Sequence, residues 1–164
     1  MIVNRKSNFG FTIIELVIVI TILSALSILG VAGFSRYNQI QTVQSAVNDI
    51  VGMINLAKSR ASSQIKLGPA ATCGPTHPLR QYEVKISTTD QYQLIIHCGP
   101  EPPSSNTASI INKRLPVNVT FSASISFFFP VLKAGVETPG NIVLSGYGLT
   151  KTITIDSLGG IKVL

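Results

Sequence analysis

Residues 11–34 read FTIIELVIVITILSALSILGVAGF. Apart from Glu15 and a few hydroxyl-bearing residues, the run is apolar throughout. At about 1.5 Å per residue, a helix of this length spans roughly 36 Å, enough to cross a hydrocarbon core of about 30 Å. A helix in a soluble core is rarely apolar on every face, so the run predicts a transmembrane segment. Arg5 and Lys6 precede it directly, and the next basic residue, Arg36, lies beyond it. The positive-inside tendency then places the N-terminus in the cytoplasm and exports the rest, with Lys58, Arg60 and Lys66 farther from the membrane. A removable secretory signal is the alternative, with Val31-Ala32-Gly33 as a small-residue cleavage site. Against it, such signals have an apolar region of about 7–15 residues, shorter than this one, and this one carries a carboxylate near its start.

The rest of the composition agrees with an anchored protein. A chain of 164 residues suits one domain plus an appendage. Charged residues make up only 12% and mean hydropathy is +0.40, which argues against disorder and against a highly charged cytosolic protein. The net charge of +6 comes from 13 basic and 7 acidic residues scattered along the chain, so its sign alone does not specify nucleic acid. Two cysteines, two histidines and no tryptophan leave little material for a metal site or a nucleophile–base pair. The acids Glu83, Asp90, Glu101, Glu137 and Asp156 show no paired spacing, and no glycine-rich phosphate loop follows a strand. The chain reads as structural or adhesive, not as an enzyme, with no cofactor.

Glu15 is the anomaly in the run. An acidic residue at mid-span costs about 2.5–3.5 kcal/mol on insertion scales, so it calls for a partner. Cleavage between Gly10 and Phe11 would create an α-amine four residues, one helical turn, before Glu15. The acid would also lie in the first turn, where the helix dipole favours negative charge. The amine can equally belong to a neighbouring subunit; otherwise Glu15 simply sits at head-group level.

The stretch Lys6-Ser7-Asn8-Phe9-Gly10 followed by Phe11-Thr12-Ile13-Ile14-Glu15-Leu16 resembles the class III signal of type IV prepilins and type II secretion pseudopilins. In that family a short basic leader ends in Gly, Phe usually follows, and Glu stands at the fifth mature position; Gly10, Phe11 and Glu15 match. The resemblance implies cleavage after Gly10 by a prepilin peptidase, N-methylation of Phe11, and alignment of incoming subunits by Glu15. It implies as partners other pilin or pseudopilin subunits, the peptidase and an inner-membrane assembly platform. Many pilins have Pro at mature position 22, where this chain has Ala32, with Gly30 and Gly33 nearby.

From Arg36 to about Ser62 the pattern becomes amphipathic. Ile40, Val43, Val47, Ile50, Ile54, Ala57 and Ala61 recur at alternating spacings of three and four, one apolar stripe on a helix. One continuous helix from the apolar run to about Ser62 is predicted, its second half covering a sheet; a coiled-coil partner suits the same stripe. Gly68-Pro69, Gly74-Pro75 and Pro78 mark a loop. Gln81–Ile86 and Gln91–Ile96 then alternate around Ser87-Thr88-Thr89-Asp90, predicting a hairpin with Tyr82, Val84 and Ile86 on one face. Residues 99–106 (GPEPPSSN) predict a loop. Val117–Phe121, Ile125–Phe129, Ile142–Leu144, Thr150–Ile155 and Gly160–Val163 predict further strands. The fold class is α+β: a long N-terminal helix, transmembrane then amphipathic, packed on an antiparallel β-rich domain. The expected organisation is a leader at 1–10, a transmembrane or filament-core helix at 11–34, an amphipathic helix at 35–66 and a periplasmic β-rich domain at 67–164.

Cys73 and Cys98, in an exported domain, most simply form a disulfide worth about 3 kcal/mol by loop closure. Zinc held by Cys73, His77, His97 and Cys98 is the alternative, but adjacent strand residues 97 and 98 point to opposite faces. Asn118-Val119-Thr120 has the form of a glycosylation acceptor, and Phe127-Phe128-Phe129 reads as strand core or a subunit contact. The layout of long helix then β-rich domain resembles the GspH/FimT group of minor pilins and pseudopilins, in which some endings carry a Gly-Arg-x-Arg-like element. Arginines of that element bind DNA in one competence-type branch. Here the matching stretch is Gly159-Gly160-Ile161-Lys162, where Gly160 replaces the first Arg and only Lys162 is charged. The resemblance leaves DNA uptake as the alternative function, with Lys151 and Lys162 as the candidate contacts and Lys113, Arg114 and Lys133 joining only if folding gathers them.

Overall fold

Residues Ile13–Ser62 form one α-helix, α1. The computed structural model describes residues 10–66, 73–74, 77–87, 89–99, 106–133 and 135–164, without the side chains of 28–32 and 106. The leader through Phe9, the Gly68-Pro69 and Pro75 markers and the proline-rich stretch Pro100–Ser105 lie outside the described residues. No proline interrupts α1, and its backbone is helical through Ala32. Arg60 stands in its last turn, complementing the dipole. Past the end, the Ser63 N–H donates to the Ser59 carbonyl (3.0 Å) and Gln64 turns into the left-handed region (φ 52°), a usual way to stop a helix.

The chain divides into two units, Met1–Asn38 and Gln39–Leu164. In the first, every described side chain is exposed, including Phe11 (89%) and Leu26 (59%). Among the described residues no helix is long and apolar enough to cross a membrane; the described side chains of the apolar run stop at Ser27 and resume at Gly33.

In the second unit the stripe works as the spacing predicts, with one correction. Val43, Val47, Ile50, Ile54, Ala57 and Ala61 are buried, joined by Ala46 and Met53. Ile40, expected to lead the stripe, is 42% exposed, so burial begins one turn later. Each fully buried isoleucine here contributes about 2 kcal/mol by leaving water.

The stripe packs into a core shared with two four-stranded antiparallel sheets. The first has the order β3 (Asn106–Arg114), β2 (Gln91–Cys98), β1 (Leu79–Ile86), β5 (Ile125–Pro130). The second has the order β4 (Val119–Phe121), β6 (Gly140–Gly146), β7 (Leu149–Ile155), β8 (Ile161–Val163). On β1, Tyr82, Val84 and Ile86 all face the core, because alternate residues share a face. The Tyr82 hydroxyl reaches over to donate to the Ile65 carbonyl just past α1. Burial first, and the Asp49 charge second, push the Tyr92 hydroxyl up to about 12. Phe127 and Phe129 are core, whereas Phe128 lies on the opposite face, 6.1 Å from the His97 ring.

Three strand expectations change. β3 was not foreseen; it carries few apolar residues, and a bulge between the pairs Leu94–Ile111 and Ile95–Ser109 breaks its alternation. β4 begins at Val119 rather than Val117, because Asn118 adopts a left-handed turn conformation (φ 64°). β8 begins at Ile161 because the turn after β7 runs from Asp156 to Gly159, closed by the Gly159 N–H on the Asp156 carbonyl (2.9 Å) with Gly159 left-handed (φ 71°). That turn is tied to the helix: Lys58 Nζ donates to the carbonyls of Gly159 (2.9 Å) and Leu158 (3.3 Å).

Candidate functional site

The N-terminal end of α1 holds the residues of the processing signal. Gly10, Phe11 and Thr12 are exposed and precede the first helical residue, Ile13. The first N–H groups of any helix lack partners within it. Thr12 supplies one as N-cap: its Oγ1 accepts from the Glu15 N–H (3.3 Å). Glu15 answers from the third helical position. Its Oε2 accepts from the Thr12 N–H (2.9 Å) and the Thr12 hydroxyl (2.8 Å). This reciprocal pair is a capping box. Its Thr-x-x-Glu spacing was legible in the chain, yet Thr12 is the site residue that the sequence reading missed. Both Thr12 bonds fall on Oε2, which leaves Oε1 as an open acceptor, and Gly10, Phe11, Thr12 and Glu15 line one recess at the start of α1.

The other described polar side chains of the run are satisfied within the helix. Thr21, Ser24 and Ser27 donate to the carbonyls of Ile18, Ile20 and Leu23, each at 2.8 Å. Hydroxyls bonded one turn back present no unpaired polar group to an apolar surrounding. What the segment shows outward is hydrocarbon with a single carboxylate at its start.

Cys73 and Cys98 are joined as a disulfide, with Cα atoms 5.3 Å apart and a sequence separation of 25. The bond pins the connection after α1 to the end of β2. The zinc alternative does not assemble. Cys98 faces the core, and its neighbour His97 points the other way, with Nε2 2.8 Å from Glu83 Oε2. His77 lies in the loop before β1.

Glu83 is itself the centre of a cluster spanning three strands. It is only 7% exposed. Besides His97 on β2, it accepts from the Ser126 hydroxyl on β5 (2.7 Å). Burial pushes its carboxyl up, but the bonds from His97 and Ser126 and the charges of His97 and Lys85 outweigh burial and hold it below the ordinary value of 4.5. Glu83 stands between serine and histidine, so no histidine is placed to take a proton from Ser126. The arrangement braces a sheet and does not make a nucleophile.

The scattered cations are not gathered. Lys151 shares the parity of core-facing Ile153, whereas Lys162 pairs with Thr154 on the opposite face of the second sheet. Lys113 lies 3.4 Å from Asp49, and Arg114 3.8 Å from Asp90, both at the end of β3 in the other sheet. The glycine at position 160 also has a local reason. Its N–H donates to Asp156 Oδ1 (2.7 Å), and a Cβ there would stand 2.5 Å from Asp156 Oδ2. An arginine cannot replace Gly160 without displacing that carboxylate.

Residues 5–31 match the prokaryotic N-terminal methylation motif. The chain thus carries the N-terminal signature of type IV pilin-like subunits, the kind processed by prepilin peptidase and assembled with other pilins. No curated protein and no solved structure matches the chain.

Proposed function

We propose that the chain is a non-catalytic minor pilin or pseudopilin of a type IV pilus or a type II secretion system. A prepilin peptidase cuts after Gly10, and Phe11 becomes the methylated N-terminus. The apolar helix anchors the subunit in the inner membrane, N-terminus inside and β-rich head in the periplasm. It then passes from lipid into a bundle of like helices at the base or tip of a filament. The exposed apolar surface of residues 11–27 supports this reading, since a face of that size demands lipid or neighbouring helices.

The observation that carries it is Glu15 at the third helical position, capped by Thr12 and with Oε1 open. Removing the leader creates a cation beside that oxygen, from the chain's own Phe11 or from the next subunit. In apolar surroundings an unpaired carboxylate is costly and a paired one much less so. Subunit entry therefore favours the register in which Glu15 meets an amine. The test is Glu15→Gln in the host, with leader removal and filament incorporation measured separately. Cleavage should persist while incorporation falls at least about tenfold, the loss of a charge-assisted contact. Incorporation at the normal level would remove the docking role.

A further inference from the structure

We propose that Asn118 is the attachment site of an N-linked glycan, the modification that the pattern Asn118-Val119-Thr120 encodes. The proposal rests on export of the head, as in the reading above, but not on assembly of a filament. No other asparagine in the chain is followed two residues on by Ser or Thr.

Such a pattern serves as an acceptor only on an exposed turn or loop of an exported domain. The fold supplies that setting. The Val119 N–H donates to the Pro116 carbonyl (3.1 Å), closing a turn that holds Asn118 just before β4. Asn118 is left-handed there (φ 64°), a conformation that asparagine and aspartate tolerate better than most side chains. Val119 is buried (2%), whereas Asn118 and Thr120 on either side of it are exposed. Amide and hydroxyl therefore lie together on the outward side, because alternate residues share a face. β4 is three residues long and forms one edge of the second sheet, so the acceptor stands at a rim of the head and not across the middle of a sheet. The neighbouring Val117 is 79% exposed, and the Tyr147 hydroxyl donates to the Val117 carbonyl (3.1 Å). The first sugar on Asn118 thus has an apolar side chain and an aromatic one close by to pack its C–H face against.

The donor is a sugar carried on a membrane lipid through a diphosphate. In the transfer, Asn118 Nδ2 forms a bond to the anomeric carbon of that sugar. The bond from the same carbon to the diphosphate oxygen breaks, and the lipid diphosphate leaves with the electron pair. One amide proton goes to a base of the transferase, and nothing is oxidised or reduced. The Thr120 hydroxyl is the group by which the transferase recognises the acceptor.

For the test, the full chain is isolated from the envelope of its host and digested with trypsin, and the peptide Leu115–Lys133 is read by mass spectrometry. A mass increase of one or more sugar units on Asn118 is expected. The increase should be lost in Asn118→Asp, which tolerates the left-handed turn but has no amide nitrogen. It should also be lost in Thr120→Val, which keeps the side-chain shape without the hydroxyl, and be kept in Thr120→Ser. An unmodified Asn118 in the wild-type chain overturns the proposal. So does a sugar that persists in Asn118→Asp, since it is then attached elsewhere, or one that persists in Thr120→Val. The same digest contains the peptide at Phe11, so a processed N-terminus beside an unmodified Asn118 sinks this inference and leaves the filament reading standing.

Discussion

Replacing Glu83 tests the most unusual interior feature of the head. The carboxylate is 7% exposed on the central strand pair of the first sheet, bonded to His97 at 2.8 Å and Ser126 at 2.7 Å. Glu83→Ala leaves both partners without their acceptor and opens a gap between strands. Breaking a buried charged pair costs about 3–5 kcal/mol, and the outward-facing position puts this one near about 3. Glu83→Gln keeps shape and one acceptor but exchanges charge-assisted bonds for neutral ones, costing about 1 kcal/mol. The pH dependence identifies the cause. Because the folded carboxyl titrates below its ordinary value of 4.5, its stabilisation is fully present above that value and is lost as pH falls through the folded value. Wild type and Glu83→Gln should therefore differ at pH 7 and converge as the pH falls below the ordinary carboxyl value and through the lowered folded one. Urea unfolding of the full chain in detergent, followed by far-UV circular dichroism across that range, reads both effects. A Glu83→Gln deficit that persists undiminished in acid, or a Glu83→Ala chain as stable as wild type, would refute the assignment.

Two further outcomes follow from the same structure. Reducing the Cys73–Cys98 bond, or changing both residues to serine, should cost about 3–4 kcal/mol from the closed loop; a urea midpoint indifferent to reductant would show that the bond does not constrain the unfolded chain. Gly160→Arg should destabilise the head by about 1–2 kcal/mol, since Asp156 must give up its bond to the Gly160 N–H; an unchanged melting temperature would mean the β7–β8 turn accepts a side chain there.

The helix and the first hairpin were legible because their signals are local. An unbroken apolar run followed by a stripe at three-four spacing marks a helix under every reading of those residues, whether signal, anchor or coiled-coil partner, and Gln81–Ile86 alternates cleanly. β3 was not legible because an edge strand pairs on one side only, with β2, and its bulge shifts the parity at Ile110. Division into two sheets was equally out of reach. β1 pairs with β5, which comes after three intervening strands, and such register depends on which apolar faces meet, not on neighbouring residues. The Glu83 cluster draws one residue from each of three strands, so no spacing announces it. At the N-terminus the situation reverses: Gly10, Phe11 and Glu15 lie within one short stretch, and so does Thr12, whose capping role follows from the same residues that carry the signal.

A processed filament subunit must begin at Phe11, the residue whose new amine would serve Glu15. Mass spectrometry of the N-terminal peptide from the host envelope tests it most directly. A peptide beginning at methylated Phe11 is the expected result; an intact leader, or a cut near Gly33, would contradict it.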